Sequence, residues 1–131
     1  TTIIGSMGSR RTMNEPKYKV IFYRTAQGTE PVREWLLSLD RNERLRLGQL
    51  IYVLQLNGPG LPMPYACPLG KGLYELRERI GKTRYRIFYA FSGDRLVILL
   101  HGMTKDQRMA ERDVDLARKR LRDFTERGSS P

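Results

Sequence analysis

Two neighbouring segments concentrate the residues able to handle phosphate. Lys71-Gly72-Leu73-Tyr74-Glu75-Leu76-Arg77-Glu78-Arg79 carries charge at regular intervals, and Arg84-Tyr85-Arg86-Ile87-Phe88-Tyr89 follows five residues later. In an extended chain successive side chains point to opposite faces, so Glu75, Arg77 and Arg79 share one face while Tyr74 and Leu76 share the other. Arg84, Arg86 and Phe88 likewise oppose Tyr85, Ile87 and Tyr89. If the two basic sets face the same way, four guanidiniums gather on one open sheet surface. Four cations within roughly 10 Å repel one another unless an anion joins them, and the planar guanidinium can hold two phosphate oxygens at once. Lys71 and Lys105 lie just beyond the strands and rim that surface. An ordinary half-exposed face, with its arginines paired to Glu75 and Glu78, has the same spacing. Alternation alone does not separate the two.

Other side chains bound the chemistry. One cysteine, Cys67, forms no intrachain disulfide or Cys-rich zinc site, and one histidine, His101, excludes His-based metal cages and disfavours a Ser-His-Asp triad. Cys67 reads as an inert loop or core thiol in a reducing, cytoplasmic compartment. His101 ends an apolar strand and suits either a structural hydrogen bond or proton transfer. Trp35 reads as core. The run Arg118-Lys119-Arg120-Leu121-Arg122 is a solvated helix face that could add to phosphate attraction, Arg118 foremost.

These residues need a scaffold, and 131 residues, 40% of them hydrophobic and 29% charged, suffice for one globular domain with a real core. No apolar run reaches the roughly 18 residues of a membrane span, and no secretory signal pattern is present. Residues 1–14 read as a flexible extension, part of it tag-like in the Gly5-Ser6 stretch, with Met7 or Met13 as a natural start. Residues 15–126 form the domain and 127–131 a disordered tail. KYKVIFY (17–23) suits a strand. Pro31 opens a helix with Val32, Trp35, Leu36 and Leu39 as its stripe. Asp40 and Glu43 form a capping box for a second helix, which carries Leu47, Leu50, Ile51 and Leu54 and stops at Asn57-Gly58-Pro59. Residues 58–72 read as a surface connection. Three strands follow, over 73–79, 84–91 and 95–103, as an antiparallel meander. A helix over 106–124 carries Ala110, Val114, Ala117 and Leu121 on one face. The fold class is therefore α+β, in the order β-α-α-β-β-β-α. It is a small antiparallel sheet packed on an N-terminal αα-hairpin and a C-terminal helix.

The formal charge is +10, from 24 Lys and Arg against 14 Asp and Glu. Such a surface suits nucleic acid, an anionic membrane or an acidic partner, and the excess of Arg over Lys leans toward phosphate.

Gly72-Leu73-Tyr74-Glu75-Leu76-Arg77, Tyr85-Arg86-Ile87-Phe88-Tyr89, Leu99-Leu100-His101-Gly102-Met103-Thr104-Lys105 and Ala117-Arg118 together resemble the RelE/ParE toxin superfamily, in particular its HigB-like, phage-derived branch. The resemblance spans nearly all of residues 17–124. It implies a RelE-like fold and a toxin of a type II toxin–antitoxin pair. It also implies cleavage of messenger RNA, usually in the ribosomal A site, and neutralisation by a helix-turn-helix antitoxin. DNA contact would come only through the antitoxin complex, and no cofactor or metal is implied. Arg77 and Arg79 fall where such toxins carry basic residues, Arg86 matches the arginine of their "YR" strand, and Lys105 lies near their basic turn. The family's C-terminal tyrosine has no counterpart here. Arg77 and Arg86 are thus expected to stabilise the transition state from the solvent face of the sheet, where truncation would leave the fold intact. Proton transfer falls to Glu75, His101, Lys105 or Lys71, while Lys71, Arg79, Arg84 and Arg118 bind RNA. A gyrase-binding ParE-like toxin without nuclease chemistry, or a plain RNA-binding module, is the competing reading.

Overall fold

The computed structural model describes residues 15–105 and 111–128. Strand β1 (Lys19–Phe22) leads to helices α1 (Pro31–Ser38) and α2 (Arg41–Asn57) and a short 3-10 turn. Then come β2 (Ala66–Gly70), β3 (Leu73–Ile80), β4 (Thr83–Ser92), β5 (Leu96–Lys105) and α3 (Glu111–Gly128). The five strands form one mixed sheet in the order β1-β5-β4-β3-β2. The architecture is α+β, as the periodicities require. Two features differ from the sequence reading. β1 runs parallel to β5, so the sheet is not wholly antiparallel. The 58–72 connection also contains β2, which pairs antiparallel with β3, Cys67 opposite Glu75. Its sequence, ACPLG, lacks alternation, and its proline is tolerated because β2 is an edge strand.

Helix positions follow from local chemistry. Pro31 sits in the first turn of α1. Asp40 caps α2: its carboxylate accepts from the Glu43 backbone at 2.8 Å, and the Glu43 carboxylate accepts from the Asp40 backbone at 2.8 Å. The other Glu43 oxygen accepts the Tyr85 hydroxyl, tying the start of α2 to β4. Burial then divides the sheet. Val32, Leu47, Leu50, Ile51 and Leu54 of the hairpin pack on Leu76, Tyr85, Ile87, Tyr89, Val97 and Leu99. On the opposite face, Ala117, Val114, Leu121 and Phe124 of α3 cover Leu73, Phe88, Ala90, Ile98 and Leu100. Trp35 is part of the first layer and sits over Gly102, where an added Cβ would lie 2.3 Å from its ring. Among the described residues no helix is long and apolar enough to cross a membrane.

Helix α3 continues to Gly128, so residues 127 and 128 are helical and not tail. Arg127 donates to Asp123 and to the Arg24 carbonyl, and Asp123 accepts the Tyr23 hydroxyl at 2.6 Å. The Arg127 hydrogen bond, with that of Tyr23, holds the Asp123 carboxyl down at about 2. Residues 1–14, 106–110 and 129–131, with the extension, helix start and end of the tail assigned to them from sequence, lie outside the described residues.

Candidate nucleic-acid interface

Three rows of cross-strand pairs cross the face that α3 partly covers. Glu75 pairs with Phe88 and Phe88 with His101; Arg77 pairs with Arg86 and Arg86 with Met103; Arg79 pairs with Arg84 and Arg84 with Lys105. The register shifts between Phe88 and Tyr89, leaving Leu100 as the additional residue of a bulge and keeping both Leu100 and His101 near α3. The first row borders the helix. The two arginine rows continue beyond it, into a cleft of about 610 Å³ lined by Pro64, Tyr65, Arg77, Glu78, Arg79, Arg84 and Arg86.

The arginines are not equivalent. Glu75 is fully buried, and its carboxylate accepts from Arg86 Nη1 at 2.7 Å and from Arg77 Nε at 3.1 Å. Arg86 is itself only 8% exposed. The expectation that Arg86 stands on the solvent face therefore fails: it is the inner half of a buried ion pair. Glu75 serves as shared counter-ion, because an enclosed carboxylate with both oxygens engaged cannot reach a substrate hydroxyl. Arg77 is half-exposed. Its Nε–H is spent on Glu75, which leaves both Nη groups for the cleft that Arg77 lines. Arg79 repeats the arrangement, donating its Nε–H to the Gly81 carbonyl at 3.1 Å. Arg84 is exposed. Glu78 turns instead toward Arg46 of α2, 3.7 Å away. The cluster thus combines the two sequence alternatives, two arginines sharing a buried carboxylate and two without one.

His101 lies on the same face, one strand and two residues from Arg86, about 8 Å by strand geometry. Its Nε2 is 2.9 Å from Asp113 Oδ1 on α3, and its ring stacks on Phe88 at 5.6 Å. A carboxylate so placed fixes the orientation of an imidazole. The Lys105 backbone stands opposite Arg84. Lys71 and Arg118 lie elsewhere. Lys71 occupies the β2–β3 turn at the far end of β3, in a left-handed conformation, φ 53°. Arg118 donates to the Leu69 and Gly70 carbonyls at 2.8 and 3.1 Å, so it clamps that turn to α3. Neither belongs with the arginine quartet. Cys67 is half-buried on β2, its thiol facing the Pro68 carbonyl at 3.7 Å. Among the described residues no three His, Cys, Asp or Glu side chains converge as a metal site.

Sequence reasoning missed Asp113 and Tyr65. The first comes from a helix whose seating only the fold reveals, and the second from a segment read as connection.

No curated protein matches the sequence. Residues 34–122, from α1 through most of α3, match the family of phage-derived Gp49-like proteins (DUF891). That span includes every strand but β1 and the whole arginine cluster. The chain belongs to this Gp49-like family, a phage-derived toxin family of toxin–antitoxin systems in the RelE group.

Proposed function

We propose that this chain is an endoribonuclease toxin, HigB-like in kind, that cuts messenger RNA on the ribosome and is neutralised by a helix-turn-helix antitoxin. The observation that carries this reading is the pair of cross-strand arginine rows, Arg77 with Arg86 and Arg79 with Arg84, opening into one cleft. Gp49-like toxins being generally of the ribonuclease type supports it.

The reaction needs no cofactor in this scheme. The substrate 2′-oxygen attacks the adjacent phosphorus, the bond from phosphorus to the 5′-oxygen breaks, and a cyclic phosphate and a free 5′-hydroxyl result. One proton leaves the 2′-hydroxyl and one reaches the departing 5′-oxygen. Charge accumulates on the non-bridging oxygens, where preorganised donors help most. The Nη groups of Arg77 meet those oxygens. Arg86 and Glu75 hold Arg77 in place, and Arg79 and Arg84 receive flanking phosphates. His101, oriented by Asp113 and about 8 Å from Arg86, is the first candidate for the proton carrier, and Lys105 is the second. Arginine itself stays protonated and is a poor base.

Expression without antitoxin in a bacterial host tests the reading. The expected outcome is growth arrest with new message 5′ ends, mapped by primer extension within coding regions. Intact messages with a supercoiling defect would instead assign the toxin to gyrase.

A further inference from the structure

One wall of the arginine cleft is uncharged. Pro64 and Tyr65 form it, and Tyr65 is 52% exposed. Its main chain is nonetheless fixed: the Tyr65 N–H donates to the Pro62 carbonyl at 3.1 Å, and its carbonyl accepts the Arg77 N–H at 2.9 Å. The second bond extends the β2–β3 ladder by one residue and sets Tyr65 directly beside Arg77. Other aromatics near the sheet use one another. Tyr74 stacks on Tyr89 at 5.4 Å, and both pack against Phe91. Tyr65 packs against no other ring among the described residues. A large flat side chain is therefore held open to water beside four guanidiniums.

We infer that Tyr65 is a stacking platform for the nucleobase next to the phosphate held by Arg77. The inference rests on the ribonuclease reading and says what the cleft selects: an unpaired RNA base, and not polyanion alone. A positive groove with an aromatic face is how single strands are held without sequence readout, since every base offers a π-face. Spacing agrees. One ribose separates a base from its phosphate, and about 5 Å of strand spacing separates Tyr65 from Arg77. A base already stacked in a duplex cannot use the ring, which restricts the cleft to single strands. An acidic protein segment would satisfy the arginines but gives no reason for a flat aromatic beside them.

Two probes separate base from phosphate. One is a 2′-O-methyl hexanucleotide containing 2-aminopurine, which lacks the nucleophile and is not cut. The other is linear inorganic polyphosphate. The unmodified protein should bind both and quench the 2-aminopurine fluorescence. Tyr65→Ala should weaken oligonucleotide binding about ten- to hundredfold, abolish the quenching and leave polyphosphate binding within about twofold. Tyr65→Phe should keep both. Arg84→Ala should weaken both probes. If Tyr65→Ala binds and quenches like the parent while Arg84→Ala is impaired, the stacking role falls and the nucleic-acid reading stands. If the parent binds polyphosphate but not the oligonucleotide, both fall. Tyr65→Ala losing only antitoxin affinity would give the ring to the protein partner and overturn the inference.

Discussion

Two basic clefts lie at opposite ends of β3, and they spend their arginines differently. At one end Arg77 and Arg79 anchor through Nε–H alone, which leaves their Nη forks for the cleft they line. At the other, a groove of about 380 Å³ is lined by Lys71, Arg118, Leu121, Arg122, Thr125 and Glu126. There Arg118 uses both Nη groups on backbone carbonyls. Four residues of strand, about 13 Å, separate Leu73, where β3 leaves the Lys71 turn, from Arg77. Charge density alone would rank the two ends alike. The difference lies in which N–H groups remain to be offered. A guanidinium held by its Nε is preorganised for an anion, whereas one held by its fork is a structural clamp.

The largest expected effect breaks the first cleft from within. Arg86→Ala leaves Glu75 fully buried with only Arg77 as partner, and removing one member of a buried ion pair costs about 3–5 kcal/mol. Chemical denaturation should show that loss, and toxicity should vanish with it. Glu75→Gln with Arg86→Met, which removes charge on both sides and fills the volume, should recover most of the stability but not the toxicity. Recovery of both would mean that the buried pair does not position the outer arginine.

A second contrast pits the clefts against each other. Arg77→Ala should lower the cleavage rate about a hundred- to a thousandfold, the usual cost of one transition-state oxyanion donor. Arg118→Ala should leave cleavage nearly unchanged but lower stability by about 1–2 kcal/mol, since it abandons two carbonyls. Initial rates on a short message and urea midpoints check both. If the roles reverse, with Arg118→Ala slow and Arg77→Ala merely unstable, the functional end of the sheet is the other one.

How far this contrast could be read in advance depends on what each residue needs. The pairing of Arg77 with Arg86 was legible, because LYELR and YRIFY alternate cleanly and a tight turn joins them. The Asp40–Glu43 capping box was legible for the same reason, being a matter of local spacing. Burial was not. Charged residues at alternate positions read as a solvent face, but whether they are covered depends on where α3 lies, and that is set by apolar contacts from residues far along the chain. Glu75 and Arg86 fall just inside that boundary, and Arg79 and Arg84 just outside it. β2 was hidden because edge strands need neither alternation nor a complete set of donors, and with it went Tyr65. Arg118 looked like one of many helix arginines, because its partners are carbonyls and carbonyls leave no mark in a sequence.

The smallest expected effect concerns what backs the first cleft and not the second. On the reverse side of β4, between Arg84 and Arg86, Tyr85 donates its hydroxyl to Glu43 at the start of α2. Burial, reinforced by the Glu43 carboxylate, pushes the phenol up from 10.0 to about 12. The neutral phenol is the form the fold holds. Its contribution is therefore complete below pH 10 and is lost as pH rises through about 12. Tyr85→Phe should cost about 1 kcal/mol at neutral pH, the worth of one hydrogen bond. The parent's advantage over Tyr85→Phe should shrink between those two pH values. Lysines and other tyrosines titrate in the same window, so the difference between the two proteins is the quantity to follow, by urea denaturation at each pH. Amide exchange should quicken first around Arg84 and Arg86, with the Lys71–Arg118 end unaffected, because Arg118 of α3 holds that turn. An advantage that stays constant from pH 8 to 12 would show that the Tyr85–Glu43 bond does not support the arginine strand.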